Sequence, residues 1–156
     1  MKRYGLCKTM ESVMQYWLMK SEPGEYSFDD LLKDGQTMWD GVRNYQAQNN
    51  MRQMKQDDRV LIYHSVSEKQ VVGVAEVCRE AYPDPAEPEG SRWILVDVRP
   101  IKKLPTPVTL ATIRATPALA NIALVKQVRL SVMSLEKEAF ETLLSLGGLM
   151  PQDISS

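Results

Sequence analysis

Within the run Trp39-Asp40-Gly41-Val42-Arg43-Asn44-Tyr45, an indole, a glycine-permitted backbone twist, a guanidinium and a side-chain amide fall within six residues. A flat polar ligand could be stacked by the ring and hydrogen-bonded along its edge by the rest. A nucleobase is the obvious ligand of that kind, because every base has a π-face and an edge of donors and acceptors. Gly41 suits a position of close approach or unusual backbone angles. Arg43 offers a rigid fork of donors for a phosphate or a base edge. Read alone, the same run also describes a buried Trp beside a turn and a helix cap, and Asn44 is a sufficient cap by itself.

Three other groupings carry polar chemistry. Lys20-Ser21-Glu22-Pro23 ends an apolar run and could line the mouth of a barrel, or be an ordinary solvated turn. Tyr63-His64-Ser65 invites a base–nucleophile reading. Adjacent strand residues point to opposite faces, however, so His64 and Ser65 cannot easily make the hydrogen bond such catalysis needs. Lys126, Gln127, Arg129 and Ser131 gather around an expected last strand, either as edge charge or as a basic rim for a backbone phosphate. The carboxylates Glu22 and Glu25, or Asp29 and Asp30, show nothing in their spacing beyond turn and cap chemistry.

These residues need elements to hold them. Tyr16-Trp17-Leu18-Met19 predicts a buried strand. Ser27, with Asp30 three residues on, predicts a capping box and a helix over 28–33 that ends at Gly35. A helix over 45–54 follows Asn44. Val60-Leu61-Ile62-Tyr63 and 71–77 predict strands, with Gly73 a bulge or a close approach. Residues 82–90 hold three prolines and predict a loop. A strand over 93–99 is expected to stop at Pro100, with Pro105 and Pro107 breaking the chain again. Thr109 predicts the cap of a helix over 110–115. Residues 128–132 alternate as a half-buried strand should, and Ser134 is expected to cap a last helix over 135–146. Five or six short strands with short helices between them make an α+β fold, mostly antiparallel, whose sheet curls to reduce its edges.

Composition limits the function classes. At 156 residues, with 44% apolar and 25% charged residues, the chain is one ordinary globular domain. No apolar run reaches membrane-spanning length, no signal peptide is indicated, and a cytoplasmic location with no membrane contact is expected. The net charge of −1 argues against gripping long duplexes chiefly by phosphate neutralisation. Two cysteines, Cys7 and Cys78, lack metal or redox spacing. The single histidine, His64, excludes a three-histidine site, so neither a metal nor a cofactor is expected. Residues 1–14 read as a tail or an upstream start-codon extension, 15–149 as the domain and 150–156 as a C-terminal tail.

Taken together, the runs 16–23, 39–46, 63–65 and 72–77 resemble the EVE domain, a family of the PUA-like superfamily related to the YTH readers of methylated adenine. Trp93 with Val96-Asp97-Val98, the entry at 107–110, and Arg129-Leu130-Ser131-Val132 fit the same pattern. The resemblance implies a pseudobarrel with flanking helices and a pocket for a modified nucleobase of RNA or DNA. Carried over by position, that pocket draws on Lys20 and Ser21, on Trp39, Gly41, Val42, Arg43 and Asn44, on Tyr63, His64 and Ser65, and on Leu130, Ser131 and Val132. Lys20, Arg43, Lys126 and Arg129 would form a phosphate rim. Gln48 stands where many relatives have Arg, which weakens an expected phosphate contact there. The implied function is a non-catalytic, nucleic-acid-binding reader that works with a protein partner or on abundant RNA; the oligomeric state is left open. The alternative is a PUA-like hydrolase acting on a modified nucleoside or on RNA through Lys20 or Tyr63.

Overall fold

The computed structural model describes residues 13–155, so Cys7 and nearly all of the expected N-terminal tail lie outside the described residues. Six strands form one mixed, open sheet: β1 (Tyr16–Ser21), β2 (Thr37–Met38), β3 (Arg59–His64), β4 (Gln70–Pro83), β5 (Ile94–Thr109) and β6 (Val132–Leu135). Their spatial order is β2-β5-β4-β3-β1-β6, and the two edge strands do not pair with each other. Only β1 and β3 run parallel. Among the described residues five short α-helices flank the sheet: α1 (Phe28–Asp34), α2 (Tyr45–Arg52), α3 (Leu110–Ala115), α4 (Ala123–Lys126) and α5 (Lys137–Leu146). This is the expected α+β architecture. No helix among the described residues is long and apolar enough to cross a membrane, and no group of His, Cys, Asp and Glu among them could hold a metal ion.

The core runs through β1 and β3. Trp17, Leu18 and Met19 in β1 and Val60 to Tyr63 in β3 are buried on both faces of the sheet. Continuous apolar runs, rather than alternation, are what a strand covered on both sides requires. The start of β1 is pinned by Asp58, a buried carboxylate that accepts from the Trp17 indole N–H (2.9 Å), the Gln15 backbone N–H (3.2 Å), the Gln15 side-chain amide (2.9 Å) and the Lys55 N–H (2.9 Å). A buried acid must be satisfied by donors. Here they come from the start of β1, the residue before it and the turn before β3, which holds the two parallel strands in register.

Local signals set the helices next to the sheet. Ser27 and Asp30 form a reciprocal capping box at α1 (3.0 and 2.9 Å), and Gly35 takes a left-handed conformation at φ 82° to end it. The Asn44 side chain caps α2 by accepting from the Ala47 N–H at 2.9 Å. Gln48, on the inner side of α2 and only 1% exposed, donates to the carbonyls of Val42 (2.9 Å) and Ile94 (3.1 Å) and accepts from the Ile94 N–H (3.0 Å). One amide thus joins the 39–44 loop, α2 and the start of β5. The position expected to weaken a phosphate contact is interior instead.

Three expectations are corrected. Pro100, Pro105 and Pro107 do not break the strand; β5 continues through all three. Its register against β4 shifts repeatedly: Val71 faces Val108 while Gly73 faces Lys103, so residues 104–107 swing out of the ladder. Prolines are tolerated where no ladder N–H is needed. Second, 128–132 is not a strand. A turn, with the Leu130 N–H on the Gln127 carbonyl (3.0 Å), leads into β6 at Val132. There Val132 and Met133 are both buried, with α2 and α4 packing against β6. Third, Ser134 pairs with Trp17 inside β6 and caps nothing; α5 begins after Glu136 without a side-chain cap.

Gly73 is both things its position suggested. The register shifts on either side of it, and the Phe28 ring lies so close that an added Cβ would sit 2.5 Å from ring carbons. Phe28 is buried and has nowhere to retreat. Gly73→Ala is therefore expected to destabilise the fold by about 2 kcal/mol, as overpacking does, read as a lowered urea midpoint at unchanged m-value. Gln48→Leu keeps the volume but removes all three hydrogen bonds that the amide makes to the Val42 and Ile94 backbone. The expected loss is about 3 kcal/mol by the same measurement; an unchanged midpoint would remove the amide from its joining role.

Candidate functional site

A cleft of about 430 Å³ opens at the C-terminal end of β1. Its walls are Lys20, Ser21, Glu22, Glu25 and Tyr26 from the strand end and the turn after it, and residues 37–41 from β2 and the loop beyond. Trp39 is a wall rather than an open stacking face. It is 8% exposed and meets the Tyr26 ring edge-to-face, with centroids 6.5 Å apart at 89°. Its backbone N–H is held by the Val96 carbonyl at 2.8 Å. Gly41 has φ 78° and open space where a Cβ would be, so the turn geometry, not crowding, calls for glycine.

Polar groups converge on this cleft. The Ser21 hydroxyl donates to the Tyr26 carbonyl, closing the turn, and the Tyr26 hydroxyl donates to Asp34 at 2.8 Å. Partial burial lowers the pKa of the Lys20 ammonium and raises that of the Tyr26 phenol. The Glu25 carboxyl, by hydrogen bonding and by charge, raises the pKa of Glu22. The rim thus carries Glu22, Glu25 and the exposed Asp40 against Lys20, a predominance of acceptors. Lys20 itself donates to the Val128 carbonyl at 2.8 Å and lies 5.9 Å from the centre of the Tyr63 ring.

Of the residues singled out by sequence, Lys20, Ser21, Trp39 and Gly41 line the cleft together. Val42 is buried, its carbonyl bound by Gln48. Arg43 faces the acidic 84–90 loop, 3.1 Å from Glu87 and 3.6 Å from Asp84, with its guanidinium 4.8 Å from the centre of the Trp93 ring. Asn44 spends its carbonyl on capping α2 and borders a separate shallow depression of about 370 Å³ with Gln127, Val128, Arg129 and Leu130. Tyr63 is buried and its phenol is pushed up by desolvation.

His64 is committed on both ring nitrogens. Nε2 accepts from the Phe28 N–H at 3.0 Å, so Nδ1 holds the proton and donates to Glu68 at 2.8 Å. It satisfies an orphan donor of the first turn of α1. Ser65 gives its N–H to the Ser21 carbonyl at 2.9 Å. Ser131 accepts the Lys20 N–H through its carbonyl (2.9 Å), Leu130 and Val132 are core, and the Val132 carbonyl accepts from Asn50. Lys126 and Arg129 are exposed. Tyr26, Thr37, Met38 and Asp40 were not singled out. Asp40 lies inside the opening motif, and Tyr26 follows the Pro23-Gly24 turn that folds it over the strand end, but neither residue type stands out by spacing.

The architecture and the cleft can be set beside known proteins. The EVE domain family pattern matches residues 15–146. Thymocyte nuclear protein 1 of Homo sapiens is 33% identical over 170 aligned residues, spanning 88% of this chain and 76% of its own length. A crystal structure of a protein from Agrobacterium tumefaciens superposes with a TM-score of 0.86 at 40% identity, covering 91% of this chain and 99% of that one. The crystal structure of human THYN1 protein in complex with DNA containing 5-methylcytosine does so with a TM-score of 0.79 at 32% identity, covering 88% and 99%. This chain belongs to the EVE domain family.

Proposed function

We propose that this protein is a non-catalytic reader that holds one modified nucleobase of DNA or RNA in the cleft beside Trp39. The observation that carries the reading is the chemistry of the cleft: an aromatic wall, one partly buried cation and a rim rich in carboxylate acceptors. Carboxylates repel a phosphate but accept from the exocyclic amine of a cytosine or adenine. The volume of about 430 Å³ lies in the range of small-molecule sites. The relative crystallised with 5-methylcytosine DNA makes a methylated cytosine the first ligand to try.

In this reading Trp39 and Tyr26 bound the base, Asp40 and Glu25 take its amino edge, and Lys20 sits where the strand's phosphate passes the rim. Full stacking on an open ring gives roughly 1–3 kcal/mol per base, contact with an aromatic wall gives less, and a good edge contact gives about 1–3 kcal/mol. Extruding a base from a duplex costs a few kcal/mol, which favours single strands, loops or weakened pairs. Lys126 and Arg129, exposed beside the second depression, are free to meet flanking phosphate.

Titration of oligonucleotides carrying 5-methylcytosine against unmodified copies tests this. The modified strand is expected to bind more tightly. Asp40→Ala, at an exposed position, is expected to weaken it roughly tenfold, and Trp39→Ala to abolish the preference. If no modified base is preferred, or if a Trp39→Ala protein shown folded by circular dichroism keeps the wild-type preference, the reading fails.

A further inference from the structure

A second aromatic and cationic surface lies outside the cleft. Tyr45, the first residue of α2, is 58% exposed. Its ring lies 5.8 Å from that of Trp93 at a 40° tilt, and the Arg92 guanidinium covers it at 4.0 Å. Arg43 adds its guanidinium on the Trp93 ring, and Arg52, two turns along α2, donates to the Arg92 carbonyl. Two aromatic rings and three arginines thus meet at one place in a chain whose net charge is −1. Among the described residues Arg52 and Arg92 form no ion pair with a carboxylate, whereas Arg43 does. The core does not need this cluster: Tyr45 points out of it, and only the indole of Trp93 is half-buried.

The cluster is also pre-positioned. Gln48 binds both the N–H and the carbonyl of Ile94, so the residue before it, Trp93, is fixed beside the helix that carries Tyr45. The same amide binds the Val42 carbonyl, next to Gly41 on the cleft wall. Tyr45 follows Gly41 by four positions, so their Cα atoms lie at most about 14 Å apart. At 3.4 Å of rise per nucleotide in a stacked strand, that is a reach of about four nucleotides.

We infer that Tyr45, Trp93 and Arg92 form a stacking platform for a flanking base of a single-stranded nucleic acid whose modified base occupies the cleft. The inference rests on the proposed nucleic-acid reading, but on different residues. A base enters over Tyr45, either on the outer face of the Arg92 guanidinium or in its place, and Arg92 and Arg52 meet the phosphates on either side. Aromatic stacking of this kind tolerates any sequence. The platform therefore adds affinity without adding base preference, and the cleft keeps the discrimination.

Two probes separate platform from cleft. The first is an unmodified single strand of about ten nucleotides, long enough to cover the surface. The second is free 5-methyl-2′-deoxycytidine, which is too small to bridge both. Tyr45→Ala is expected to weaken the oligonucleotide roughly tenfold and leave the nucleoside unchanged, while Tyr45→Phe retains oligonucleotide binding. Arg92→Ala is expected to reduce the salt slope of oligonucleotide binding by about one. If wild type does not bind the strand, or Tyr45→Ala binds it as wild type does, the platform is overturned. If the nucleoside does not bind while the strand still depends on Tyr45, the cleft reading fails and the platform stands.

Discussion

The buried side-chain amide of Gln48 makes three hydrogen bonds, one to the Val42 carbonyl and two to the backbone N–H and carbonyl of Ile94. An unpaired buried carbonyl or N–H costs about 1–3 kcal/mol. The 39–44 loop, α2 and the first residue of β5 are therefore placed together or not at all. Everything on this side of the molecule follows from that constraint. Trp39 is held as a cleft wall because its loop cannot drift. The Arg43 side chain leaves the loop toward the 84–90 segment, and Trp93 stands beside Tyr45. A charged side chain could not do the same work without a counter-ion at that depth.

The other side of the cleft depends on where β1 stops. Asp58 gathers donors from Gln15, Trp17 and Lys55, and the parallel register with β3 sets Ser21 beside His64. A slip by one residue would turn Trp17 and Met19 to the wrong face. Asp58 lies at one end of the β1–β3 pair and the cleft at the other, so rigidity at the first becomes precision at the second. His64 completes this end. By accepting from the Phe28 N–H it fastens α1 to the strand, and Phe28 in turn packs onto Gly73 in β4. The histidine that the resemblance carried into the pocket is part of the scaffold.

Local rules were readable from sequence because each is complete within a few residues. The Ser27–Asp30 capping box, the Asn44 cap and the apolar runs of β1 and β3 all appear where their patterns predict. The misreadings came where tertiary pairing decides. Prolines usually end strands, yet the 104–107 excursion from the β4 ladder lets β5 run on past Pro105 and Pro107. Residues 128–132 alternate like a strand, but Val128 faces solvent and the chain turns before pairing begins at Val132. At the site, Lys20, Ser21, Trp39 and Gly41 were visible as a group. Tyr26 and Asp40 were not, since their place in the cleft comes from a turn folding over a strand end. Nor does spacing reveal that Arg43 and His64 are already engaged.

That engagement changes how recognition must work. Each phosphate neutralised by a cation releases counterions, and the number of such contacts sets the salt dependence of binding. Arg43 is held by Glu87 and Asp84, and Lys20 is partly desolvated and bound to the Val128 carbonyl. Using Arg43 on a phosphate would break an existing ion pair, so the net gain would be small. The exposed, unpaired cations that remain around the site are few. On the proposed reading, phosphate contacts therefore position the strand and contribute a shallow salt slope, stacking adds affinity, and edge contacts in the cleft supply the discrimination. A near-neutral chain can then read one base without holding the rest of the polymer tightly, which is the balance a reader of sparse marks requires.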